Sequence, residues 1–144
     1  MPDDQGAVTA PPPGHLQHID WERAIHNHQS EEKLVAFLKE YPADLRRNVA
    51  EIQQALQSQD DDTRLEKLRE AAQQVMGSSS YIAANQLNER ARALVEAIDL
   101  EFDKDEPGTT NSLANKTVQE AMELEKEILS LYAKGQQQQC CSIQ

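Results

Sequence analysis

Ala71-Ala72-Gln73-Gln74-Val75-Met76-Gly77-Ser78-Ser79-Ser80 sits at the middle of the chain and sets its architecture. Alanine, glutamine and methionine favour helix, and no proline interrupts them. Leu65, Leu68, Ala72, Val75, Ser79 and Ile82 recur at steps of three and four, the signature of a helix with one face in a core. Arg69, Gln73, Met76, Gly77 and Ser80 recur at the same steps on a second face, offset from the first. Gln73 is therefore expected to point to solvent or to a partner. Gly77 lies in the helix interior, where glycine costs about 1 kcal/mol relative to alanine. Two causes fit that cost: a neighbouring helix packed tightly inside the fold, or close approach of another chain.

Further helices flank this one. Upstream, Asp20 is placed to cap a short helix carrying Trp21, Ala24 and Ile25. Ser30 with Glu31 and Glu32 opens a second helix, because carboxylates favour the positive end of the helix dipole. Its stripe runs Leu34, Leu38, Tyr41, Leu45, Val49, Ile52, Leu56. Pro42 predicts a kink or short break near Glu40 and Tyr41, since proline lacks the backbone donor. Thr63-Arg64-Leu65-Glu66 has capping-box spacing and opens the third helix. Downstream, a fourth helix carries Leu87, Ala91, Leu94, Ile98 and Phe102. A polar loop is expected from Asp103 to Asn111, centred on Pro107-Gly108. The last helix carries Val118, Ala121, Met122, Ile128, Leu129 and Tyr132, and Gly135 is expected to stop it. The expected fold is all-α: an antiparallel up-down-up-down four-helix bundle with the short N-terminal helix as a lid. Residues 1–18, with Pro11-Pro12-Pro13-Gly14, form an expected disordered tail, residues 19–134 the bundle and residues 135–144 a flexible tether.

Composition narrows the function. Aromatic residues are only 4 % of the 144, so aliphatic side chains must build the core. A net charge of −11 argues against nucleic acid, whose phosphates need clustered Lys and Arg. The same charge argues against electrostatic adhesion to an anionic bilayer. The two cysteines, Cys140 and Cys141, are adjacent and cannot staple a fold, and no apolar run is long enough to span a membrane. A cytoplasmic location follows by elimination. No nucleotide-binding loop, metal-ligand cluster or nucleophile–base spacing appears, so no enzyme, cofactor or metal is expected. His26 and His28 stand two apart, about 200° around a helix axis, and do not converge on an ion. Asp103 to Ala114 has a calcium-loop outline but puts Pro107 and Ala114 where oxygen ligands are required.

The segment from Ile19 to about Lys134 resembles the histidine-containing phosphotransfer family in helix number, helix lengths and motif position. Ile19-Asp20-Trp21, the stretch from Phe37 to Leu45 and Gly77-Ser78-Ser79 all fit. Ser78-Ser79-Ser80-Tyr81-Ile82 is closer to the eukaryotic members. That family carries His-x-Leu-Lys-Gly-Ser on a long helix and passes a phosphoryl group to and from an aspartate of a receiver domain. In the same frame this chain has Gln73 for the histidine, Met76 for the lysine and Gly77 for the glycine. A carboxamide has no basic lone pair to hold phosphate as a phosphoramidate. Met76 replaces a cation with an adaptable apolar side chain. The resemblance therefore implies a degenerate, noncatalytic member, monomeric, that docks a receiver domain or a histidine-kinase module through Arg69, Gln73, Met76, Gly77 and Ser80. The alternative is an adaptor that has kept the helices and lost receiver binding.

The chain ends Cys140-Cys141-Ser142-Ile143-Gln144. The last four residues match the C-a-a-X signal, with a terminal Gln that suits farnesyl transfer by a prenyltransferase. Cys141 is the expected prenyl acceptor, and the alternative is a chance terminus with two ordinary exposed thiols. One chain holds a membrane only marginally, and Cys140 is the expected second anchor by palmitoylation or a second prenyl group.

Overall fold

A computed structural model describes residues 16–104 and 108–143, with side chains over 16–103 and 109–131. It is all-α: α1 (Trp21–His28), α2 (Glu31–Leu56), α3 (Asp61–Tyr81), α4 (Asn85–Lys104) and α5 (Gly108–Ile143). No strand occurs among the described residues, and none of their helices is long and apolar enough to cross a membrane.

The first two helices start where their caps require. Asp20 accepts from the Arg23 amide and Ser30 from the Lys33 amide, each satisfying a donor that the first turn leaves unpaired. The third start differs from expectation. Asp60, not Thr63, is the cap: its carboxylate accepts from both the hydroxyl and the amide of Thr63. These two bonds hold the Asp60 carboxyl below its ordinary value, the hydroxyl bond contributing most.

α2 runs unbroken through Pro42, where a break was one of the two expectations. Tyr41, Pro42 and Leu45 are all buried, so side-chain packing holds the turn that the proline leaves without a hydrogen bond. The expected polar loop after α4 is much shorter. Asp103 and Lys104 are still helical and α5 already begins at Gly108. Pro107 lies outside the described residues, as do residues 1–15. Gly135 does not stop α5, which continues to Ile143. A single glycine raises the cost of a helical turn by about 1 kcal/mol without forbidding it.

α3 packs against α2 and α4, and α5 against α4 and α2, so the four long helices close a ring. α1 packs on α2 and α3. Two apolar clusters fill the interior. One holds Trp21, Leu34, Leu38, Tyr41, Leu45, Val75, Ile82, Leu87, Leu124 and Ile128; the other holds Ile52, Leu65, Leu68, Leu94, Ile98 and Val118. The core is aliphatic, as the composition requires.

Three residues expected in core stripes are exposed: Phe102 at 44 %, Met122 at 52 % and Leu129 at 43 %. On α4 the inward position near the end is taken by Glu101, which pairs with buried Arg64 of α3. Arg64 also donates to Asn111 Oδ1 at 2.9 Å, tying α3 to the start of α5. On α5 the inward line is Ala114, Ala121, Leu124 and Ile128, and Met122 and Leu129 fall on its outer flank.

Candidate functional site

The candidate face depends on how α3 ends. Ala83 adopts φ 57°, a left-handed conformation. The Ala84 amide donates to Ser79 O at 2.8 Å and the Ala83 amide to Ser80 O at 3.1 Å. This is a Schellman cap with alanine where glycine would carry no steric penalty. α1 secures the same end. Asn27 Nδ2 donates to Ser80 O at 3.3 Å and Tyr81 O at 3.2 Å, and the Asp20 amide donates to Ala83 O at 3.0 Å. A side chain from a separate helix thus adds a donor to two carbonyls of the last turn.

Arg69, Gln73, Gly77 and Ser80 are all exposed on α3, and Met76 is half-buried among them. The spacing reading of this face is therefore met by the side chains. At Gly77 an added Cβ would find no atom within 4 Å. Tight packing among the described residues therefore does not account for the glycine. Beneath the face, Ser79 is fully buried and donates to Met76 O at 3.1 Å. Ser78 is half-buried and bonded to Tyr41, so of the three serines only Ser80 is freely exposed.

α4 forms the other wall of this face. Asp99 pairs with Arg69 at 3.2 Å, both side chains about half exposed. Asn88 Nδ2 donates to Met76 O at 2.8 Å, and Asn88 Oδ1 accepts from Arg92 Nη2 at 3.3 Å. Sequence spacing on α3 alone did not single out these α4 residues, because the pairing of the two helices depends on their relative register.

At the end of α3 the rings of His28, Phe37, Tyr41 and Tyr81 cluster. His28 stands 3.8 Å from Tyr81 and 5.1 Å from Phe37, centroid to centroid. His28 is 5 % exposed, its Nε2 has no hydrogen-bond partner among the described residues, and burial pushes its pKa below the ordinary value. His26 is exposed on α1.

A second polar cluster was not visible in the linear sequence. His18 Nδ1 lies 2.6 Å from Glu120 Oε2 and His18 Nε2 lies 3.8 Å from Glu123 Oε1. The Gln17 and His18 amides donate to Glu127. Residues 17 and 18, expected in the loose tail, are therefore fastened to α5. His18, Glu120 and Glu123 have the separations of a metal site, with one ligand atom from each within 4.8 Å of the others. Arg90 also approaches Glu120, at 3.7 Å, so this buried carboxylate already has a guanidinium and the His18 ring beside it.

The proposed lipid acceptors Cys140 and Cys141 fall within the helical backbone of α5, and their side chains lie outside the described ones. Comparison of the chain with protein-family models, with curated proteins and with solved structures finds no match.

Proposed function

We propose that this chain is a noncatalytic phosphotransfer-like protein that docks a receiver domain, or the corresponding module of a histidine kinase, and modulates phosphorelay signalling. The four long helices are read as an antiparallel up-down-up-down bundle and α1 as its lid. The short connections at 57–60 and 82–84 and the ring of helix contacts support that arrangement. The observation that carries the function is Gln73: an exposed carboxamide on α3, one turn from an exposed Gly77 over which there is open space. A phosphotransfer member would hold its nucleophilic imidazole at that position, and an amide cannot replace it. Half-buried Met76 adds an adaptable apolar contact of the kind that interfaces favour. The protein would then occupy receivers without loading or unloading them.

Titration calorimetry of the full chain against an isolated receiver domain tests the docking. Gln73→Arg and Met76→Glu each place a charge in the centre of the face and are expected to weaken binding at least about tenfold. Absence of binding by the parent chain contradicts the proposal. Membrane anchoring through Cys141 and Cys140 is a separable part of it, tested by mass analysis of the C-terminus of natively purified protein.

A second reading has one observation in its favour. Met122 and Leu129 are exposed beside Val118 on α5, away from the α3 face. An adaptor that no longer binds receivers would use such a surface, and its partner binding would be indifferent to Gln73→Arg.

A further inference from the structure

We propose, resting on the docking function above, that Arg92 is the cation of this face and meets the aspartate-bearing surface of the receiver. The receiver's face is anionic whether its aspartate is bare or phosphorylated. An anionic surface approaching a chain of net charge −11 is repelled at long range, so productive docking needs a local positive charge. Position 76 is methionine and provides none. Arg69 is the cation on the α3 side, and its charge is already matched by Asp99 at 3.2 Å. Arg90 on α4 is directed to Glu120 instead.

Arg92 is placed differently. It is exposed on α4, and among the described residues its side chain bonds to Asn88 and makes no ion pair. Asn88 is half-buried and joins two helices. Its Nδ2 donates to Met76 O at 2.8 Å and to Ser79 Oγ at 3.4 Å, while its Oδ1 takes the Arg92 guanidinium at 3.3 Å. One carboxamide thus holds the guanidinium in register with the turn that bears Met76 and Gly77. Only one of the five guanidinium N–H donors is used in that contact, leaving a planar fork suited to a carboxylate or phosphoryl group. The positive charge that Met76 removes from α3 is thereby restored from α4.

The test uses the full chain and an unmodified isolated receiver domain, titrated at low and at moderate salt. The variants are Arg92→Gln, Arg92→Lys and, as a charge-matched control on α2, Arg47→Gln, whose guanidinium pairs with Asp44. Arg92→Gln is expected to weaken binding about tenfold at low salt and by less at moderate salt, and Arg92→Lys to recover part of the loss. Arg47→Gln is expected to stay within about twofold of the parent. Equal effects of Arg92→Gln and Arg47→Gln overturn the role of Arg92 while leaving the docking function standing. A parent chain that does not bind the receiver overturns both.

Discussion

The Tyr41 hydroxyl lies 2.9 Å from Ser78 Oγ and joins α2 to the turn of α3 that follows Gly77. Ser78 in turn donates to Val75 O at 3.3 Å, so the hydroxyls form a short chain running from α2 into the backbone beneath Gln73. Burial pushes the Tyr41 pKa up to about 12, which keeps the phenol protonated as a donor. Tyr41→Phe keeps the ring and leaves Ser78 its bond to Val75, so it is expected to cost about 1 kcal/mol. Ser78→Ala strands a buried phenol and is expected to cost more, about 1–3 kcal/mol. Urea unfolding midpoints of the two variants give the comparison, and a larger loss for Tyr41→Phe would contradict it.

Gly77→Ala separates stability from function. Because a Cβ there meets open space, the substitution is expected to stabilise the isolated chain by about 0.5–1 kcal/mol through helix propensity. The same methyl stands in the path of a docked partner and is expected to weaken receiver binding. A lowered melting temperature, or unchanged binding, would speak against the assignment of this glycine to an external contact.

His28 makes stability depend on pH. Its folded pKa is lowered from 6.5 by burial, so the neutral ring is the native form. The unfolded chain then binds more protons below pH 6.5. Stability is fully present above that value and falls as pH drops through it toward the folded pKa. Denaturant unfolding between about pH 7.5 and about 5.5 should show a smaller decline for His28→Phe than for the parent. Equal declines would assign the pH dependence to other groups.

The Arg64–Glu101 pair is buried on both sides, and the guanidinium also meets Asn111 and the exposed carboxylate of Asp61. Glu101→Leu leaves the buried guanidinium only the exposed Asp61 carboxylate, 3.5 Å away, as counter-charge and is expected to cost at most about 3–5 kcal/mol. The double variant Arg64→Met with Glu101→Leu should recover most of that loss, because the desolvation cost disappears with both charges. A double variant no more stable than Glu101→Leu alone would mean that the pair holds the helix ends by geometry rather than by charge balance.

Local signals carried the fold class and the outward face of α3. Apolar spacing placed Leu68, Ala72 and Val75 in the core and Gln73 outside it, because 3.6-residue periodicity converts directly into burial. Caps at Asp20 and Ser30 were legible for the same local reason. Where the reading erred, a tertiary contact outweighed a local preference. Glu101 is buried because Arg64 arrives from another helix, which displaces Phe102 to the surface. Pro42 stays helical because its neighbours are packed, and His18 is fixed by carboxylates more than a hundred residues away. Asn88 and Arg92 entered the candidate face only through the register of α4 on α3. No sequence spacing encodes that register.

Phosphoryl transfer from a radiolabelled receiver tests the central assignment of Gln73 most directly. The parent chain is expected to bind the receiver and take up no label. Gln73→His with Met76→Lys is expected to acquire an acid-labile phosphoramidate, since it returns both the nucleophile and its supporting cation to an exposed position. Label on the parent chain, or a doubly substituted chain that binds yet remains unlabelled, would contradict the account.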